Sequence, residues 1–149
     1  MWALAAYVNA SRVLIRANSI EKLIKGVCEG VTIQKPYVLA CVGLNESSPK
    51  KRIDIAGCAG EAVAYAKDLQ LSWDENNIFG QGPTGIAIRN RETIVCTDTE
   101  LANNFGSWVH RARANGIRSS ISIPLIEEND PFGIFIVYAS QPNAFEAAE

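Results

Sequence analysis

The residues of this chain with the most chemical potential fall in four groups. Gly80-Gln81-Gly82-Pro83-Thr84-Gly85 matches the glycine spacing of a dinucleotide-binding turn, and Asp98 follows at roughly the distance of a ribose-binding acid. That reading fails on context. A phosphate-cradling turn is fed by a buried strand, whereas Asp74-Glu75-Asn76-Asn77-Ile78-Phe79 is polar and turn-like. The run therefore reads as a tight turn opening a short helix with Pro83 at its first position. His110 is the only histidine, and no cysteine or acid accompanies it at metal-ligand spacing. It could serve only a group that needs one axial imidazole, such as haem. No nucleophile-elbow pattern accompanies the serines. The acid pairs Asp74-Glu75 and Glu127-Glu128 sit in turn-like segments and read as solvated.

Cysteines form the third group. Cys28, Cys41, Cys58 and Cys96 are widely spaced, with no Cys-x-x-Cys pair. Three lie in apolar, strand-like runs, where a reduced thiol behaves as a small hydrophobe. Reduced thiols imply a cytoplasmic setting. The fourth group is aromatic. Trp73, Phe79, Trp108 and Tyr138 fall at the ends of expected elements, where such side chains, with a few hydroxyls, can enclose a small planar ligand. Ser120, Ser122 and Asp98 are the polar partners expected to orient it.

Elements that would position these groups follow from periodicity. Leu4, Tyr7, Val8, Ser11, Leu14 and Ile15 share one face of a helix over residues 2–17. Asn18 with Glu21 resembles a capping box for a second helix, which Gly30 would stop. Residues 37–44 and 53–58 form an antiparallel hairpin across a turn cluster. A helix is expected over 60–69, a short one over 83–90, a strand over 93–97, and a helix over 105–115 ended by Gly116. Residues 119–126 alternate, with Ile121, Ile123 and Leu125 on one face, and pair with 132–139. Helices flanking an antiparallel sheet make the class α+β.

Composition narrows the function. The chain has 149 residues, a net charge of −2, and 20% charged residues, a single-domain globular balance. With no basic stripe, nucleic acid is not an expected partner. Arg12 and Arg16 interrupt the apolar N-terminus, so neither a signal peptide nor membrane insertion is expected.

Several stretches together resemble the bacterial sensory GAF domain family. They are Leu71-Ser72-Trp73-Asp74-Glu75; Gly80-x-Gly82-Pro83-Thr84-Gly85-Ile86-Ala87; Trp108 with Ala112, Gly116 and Arg118-Ser119-Ser120; Ile123-Pro124-Leu125; Phe132-Gly133; Tyr138-x-Ser140; and Pro142-x-Ala144-Phe145. The helix of residues 19–29, Tyr37 to Gly43, and Ala56-Gly57 agree, so the resemblance runs from about Ala17 to the end. It implies a central antiparallel sheet of five or six strands. Terminal helices would cover one face, and short helices and loops would form a pocket on the other. Residues 1–17 would be a linker or signalling helix, and 18–149 the GAF domain, its final helix truncated. The chain would then be a regulatory, small-molecule-sensing module of a larger bacterial signalling protein. It would dimerise through its terminal helices, carry a covalently attached output domain, and do no chemistry of its own. Trp73, Phe79, Asp98, Trp108, Ser120, Ser122 and Tyr138 would hold an unidentified ligand, and the cofactor is unknown. Val109 rather than cysteine precedes His110, and the Asn-Lys…Phe…Asp-Glu pattern is absent, so neither a covalent bilin nor cyclic GMP is implied. Two alternatives stand beside this: a GAF-fold enzyme such as a free-methionine-sulfoxide reductase using Cys41, Cys58 or Cys96, and a structural dimerisation module.

Overall fold

A computed structural model describes residues 19–46 and 49–145. The expected helix over residues 2–17, and all but Phe145 of the final helix expected over 145–149, lie outside the described residues. Six strands form one antiparallel sheet in the order β3-β2-β1-β6-β5-β4. They are β1 (Tyr37–Asn45), β2 (Arg52–Ala59), β3 (Leu71–Ser72), β4 (Ile94–Cys96), β5 (Ser119–Glu127) and β6 (Asp130–Ala139). The α+β class, the sheet and both hairpins are as the sequence predicts.

Helix α1 (Ile20–Thr32) covers one face. Its N-cap is Ser19, whose hydroxyl accepts the Lys22 backbone N–H at 3.1 Å. The cap is thus one residue later than the Asn18 expected, and the helix runs through Gly30 to Thr32. Cys28 and Val31 bury against Ala40, Val42, Ala59, Ile121, Val137, Ala139 and Phe145. Gly57 lets α1 approach closely: a Cβ there would lie 2.6 Å from Ile24 Cγ2.

The opposite face carries α2 (Val63–Ala66), α3 (Pro83–Asn90) and α4 (Val109–Ala114). Two short 3-10 turns, Ile78–Gly80 and Asn103–Phe105, precede α3 and α4. The helix expected over 60–69 shrinks to the four residues of α2, because Lys67 is extended and Asp68 has φ 62°. Helix α4 is also shorter than expected, with the Asn103–Phe105 turn before it. Gly116, at φ 71°, ends it as predicted, and Ile117 N–H returns to Ala112 O.

Strand alternation assigns the two faces of β5. Ile121, Ile123 and Leu125 pack on the α1 side, so Ser120 and Ser122 point to the other. Tyr138 lies directly opposite Ser120, and Ile136 opposite Ser122.

Candidate functional site

A cleft lies between that second face and the short helices. Its floor is Ser120, Ser122, Ile136 and Tyr138; its walls are Tyr65, Leu71, Pro83 and Thr84; its roof is Phe105 and Trp108. The floor is polar where a core sheet is normally apolar: Ser120 and Ser122 are each 1% exposed. Thr84, on the first turn of α3, is also buried, and its hydroxyl lies 3.3 Å from that of Ser122.

Aromatic rings close the space. Tyr65 meets Tyr138 edge-on at 5.2 Å, and Phe105 meets Trp108 edge-on at 5.8 Å. Trp108 is pinned by its indole N–H to Gln70 O at 3.2 Å. The Arg111 guanidinium donates to Tyr65 O at 2.8 Å and to Lys67 O, and stacks over the Tyr65 ring at 5.3 Å. This ties the roof helix α4 to the α2 wall. The remaining cleft volume is about 10 Å³, room for one water. The hollow expected beneath the roof is therefore a closed seam in this conformation.

The glycine-rich run serves this packing. A Cβ at Gly82 would sit 2.3 Å from the Trp108 ring, and one at Gly85 would sit 2.4 Å from Gly80 O and 2.7 Å from Ser72 O. These glycines let α3 press against β3 and let the roof indole close. Gly82 begins α3 with Pro83 at its first turn, as the sequence predicts.

Four of the seven predicted site residues come together here: Trp108, Ser120, Ser122 and Tyr138. Phe79 supports Trp108 from the rim, with ring centroids 6.3 Å apart. Trp73 lies elsewhere, beside Arg89 and Phe132. Asp98 does not line the cleft. It follows β4, where its carboxylate accepts the Glu100 backbone N–H at 3.0 Å and pairs with Arg118 at 3.0 Å. Sequence reasoning missed Tyr65, Thr84 and Phe105. Thr84 carried the clearest signal, as a hydroxyl two residues after Gly82 in a run already singled out.

Burial pushes the Tyr65 and Tyr138 phenols up, so both stay neutral at physiological pH. Asp98 moves the other way. The Glu100 amide is the largest influence lowering its pKa, and Arg118 adds to it against partial desolvation. A carboxyl with a depressed folded pKa contributes stability above its unfolded value, near 4, that is lost as pH falls through the folded one. Asp98→Asn is therefore expected to lower the melting temperature more at pH 7 than at pH 2. An equal loss at both, read by circular dichroism, would remove the carboxylate from the account.

All four cysteines are free. Burial raises Cys28 to about 12 and Cys96 to about 11, and it raises Cys41 as well. Cys41 and Cys58 stand opposite each other on β1 and β2. A thiol held protonated is a weak nucleophile. His110 is exposed and outside the cleft. No cluster of three or more His, Cys, Asp or Glu able to hold a metal occurs among the described residues, nor does a helix long and apolar enough to cross a membrane.

Comparison with known proteins agrees with the fold. The free methionine-R-sulfoxide reductase of Neisseria meningitidis, solved with its substrate, superposes with a TM-score of 0.71 at 15% identity, over 97% of this chain and 77% of that one. The reductase of Staphylococcus aureus in its reduced form gives 0.71 at 15%, over 97% and 82%. The GAF domain of an Acinetobacter phosphoenolpyruvate-protein phosphotransferase gives 0.71 at 13%, over 96% and 82%. No curated protein sequence matches the chain. The expectation that such a module does no chemistry of its own is corrected by these neighbours: methionine-R-sulfoxide reductases share this architecture, so the fold does not exclude catalysis. The sequence model of the GAF domain matches residues 17–149, which is all but the N-terminal segment, and the chain belongs to the GAF domain family.

Proposed function

We propose that this GAF domain is a small-molecule sensor whose ligand enters the seam under Trp108. One observation carries the reading: the hydroxyls of Ser120 and Ser122 on the sheet and of Thr84 on α3 are buried together beneath aromatic rings. Buried hydroxyls beside aromatic faces form a mixed surface suited to a small planar molecule with polar edges. The ligand would stack between Trp108 and Tyr138 and hydrogen-bond to the serines.

Because the seam is closed, binding must lift the segment from Phe105 through α4. The energy for that is the ligand's preference for the open arrangement. Movement of β5 and β6 would reach α1 through Ile121, Val137 and Phe145, which pack beneath it. From there it would pass to residues 1–17, which we assign as the connection to a second copy and to an output domain of a larger cytoplasmic signalling protein.

The test is thermal unfolding against a metabolite library. A ligand at a hundred times its Kd stabilises by about 2.7 kcal/mol. For a domain of this size that is a rise of roughly 5–10 °C. Ser122→Val is expected to abolish the rise while the protein stays folded. A library with no stabilising compound, or an undiminished rise in the variant, would contradict the reading.

A further inference from the structure

A second groove, of about 510 Å³, opens beside Trp73 and Phe132. Phe132 lies six residues along β6 from Tyr138, roughly 20 Å by strand rise, so the groove is separate from the seam. Asn45 at the end of β1, Asp130 and Phe132 at the start of β6, Trp73 after β3, and Ile88 and Arg91 from α3 and its cap line it.

Three buried polar atoms in this lining lack a hydrogen-bond partner among the described residues, one donor and two acceptors. The Trp73 indole Nε1 is a donor, and Asn45 Oδ1 and Glu46 Oε2 are acceptors. Asn45 Nδ2 donates to Pro131 O at 2.8 Å, which fixes the amide so that its oxygen is the end left over. Desolvated polar groups without partners are costly, and a ligand offering the complementary atoms removes that cost.

Charge supplies the rest. Arg91 occupies the left-handed region at φ 55°, which disfavours a side chain, and its Nε donates to Asn129 O at 2.9 Å. Its two Nη groups make no protein hydrogen bond among the described residues. Arg89 is committed to Trp73 O at 3.1 Å and Gly80 O at 2.6 Å, yet keeps its positive charge at the groove. Glu46 lies in ion-pair range of Arg52 at 3.3 Å, its Oε2 left open to a ligand's donor, and Asp130 is a second carboxylate in the lining. Phe132, 44% exposed, and Ile88 give an apolar wall.

We propose that this groove binds a small carboxylate with a hydrogen-bond donor on the adjacent carbon and an apolar side chain, an α-hydroxy or α-amino acid. The carboxylate accepts from Trp73 Nε1 and faces Arg91. The neighbouring hydroxyl or ammonium donates to Asn45 Oδ1, and the side chain lies on Phe132. This assignment is independent of the reading of the seam.

The probes are 3-phenyllactate, phenylalanine and 3-phenylpropionate, the last lacking the donor. In a nitrogen–proton NMR titration, the Trp73 indole signal, identified by its absence in Trp73→Phe, is expected to move with 3-phenyllactate or phenylalanine. The Trp108 indole should stay put. Calorimetry should give a Kd at least tenfold weaker for 3-phenylpropionate, and a tenfold loss for the donor-bearing probe in Arg91→Gln. Movement of the Trp108 indole instead, equal binding of all three probes, full affinity in Arg91→Gln, or no binding at millimolar concentration would overturn the proposal.

Discussion

Replacing Trp108 by alanine is expected to destabilise the domain by about 3–5 kcal/mol, the range for deleting a large buried aromatic. The indole is 6% exposed, packs on Phe105 and Phe79, and holds Gln70 O through its N–H. Its loss removes the roof and leaves that carbonyl without its donor. Urea unfolding followed by circular dichroism measures the effect without relying on the deleted fluorophore. A loss under about 0.5 kcal/mol, the scale of a surface substitution, would mean that the roof is already open in solution. Trp108→Phe keeps a ring and should recover part of the loss.

Gly85→Ala is the second large effect, and it acts through backbone. The added Cβ would lie 2.4 Å from Gly80 O and 2.7 Å from Ser72 O, and carbonyls cannot rotate away as a side-chain tip can. Either α3 shifts off β3 or the Ile78–Gly80 turn opens. Overpacking of this kind costs about 1–3 kcal/mol. The expected result is that loss together with weaker binding of any seam ligand, since Thr84 moves with the helix. Gly106→Ala is the control: its Cβ would meet nothing within 4 Å. Equal stability of the Gly85→Ala and Gly106→Ala variants would show that α3 does not seat on these carbonyls.

How much was legible in the sequence depended on how local each signal was. The β5–β6 hairpin was readable because an alternating run and a strongly apolar run flank a polar turn. The same alternation fixed Ser120 and Ser122 to one face. Gly116 and Gly82-Pro83 announced a helix end and a helix start through backbone chemistry alone. Strand β3 was invisible, since two residues carry no period, and its pairing with Arg52 and Ile53 is a tertiary event. The α2 region misled because alanine favours helix, whereas burial of Tyr65 and the turn at Asp68 decide its length.

Trp73 shows the deeper limit. Its type suited a ligand site, but nothing local says which hollow a residue just past a two-residue strand will face. Asp98 had the right spacing for a binding acid, and Arg118, twenty residues on, took the carboxylate for a corner of the fold. The family was readable from the order of many weak motifs. The division between sensing and catalysis was not, because one backbone serves both.

The most direct test is a crystal structure with the compound that raises the melting temperature most. The account predicts density between Trp108 and Tyr138, polar atoms within hydrogen-bond reach of Ser120 or Ser122, and a displaced Phe105–Trp108 segment. A compound whose stabilisation is lost in Ser122→Val but which is bound elsewhere, with the Phe105, Trp108 and Tyr138 rings still closed over the serines, would contradict it.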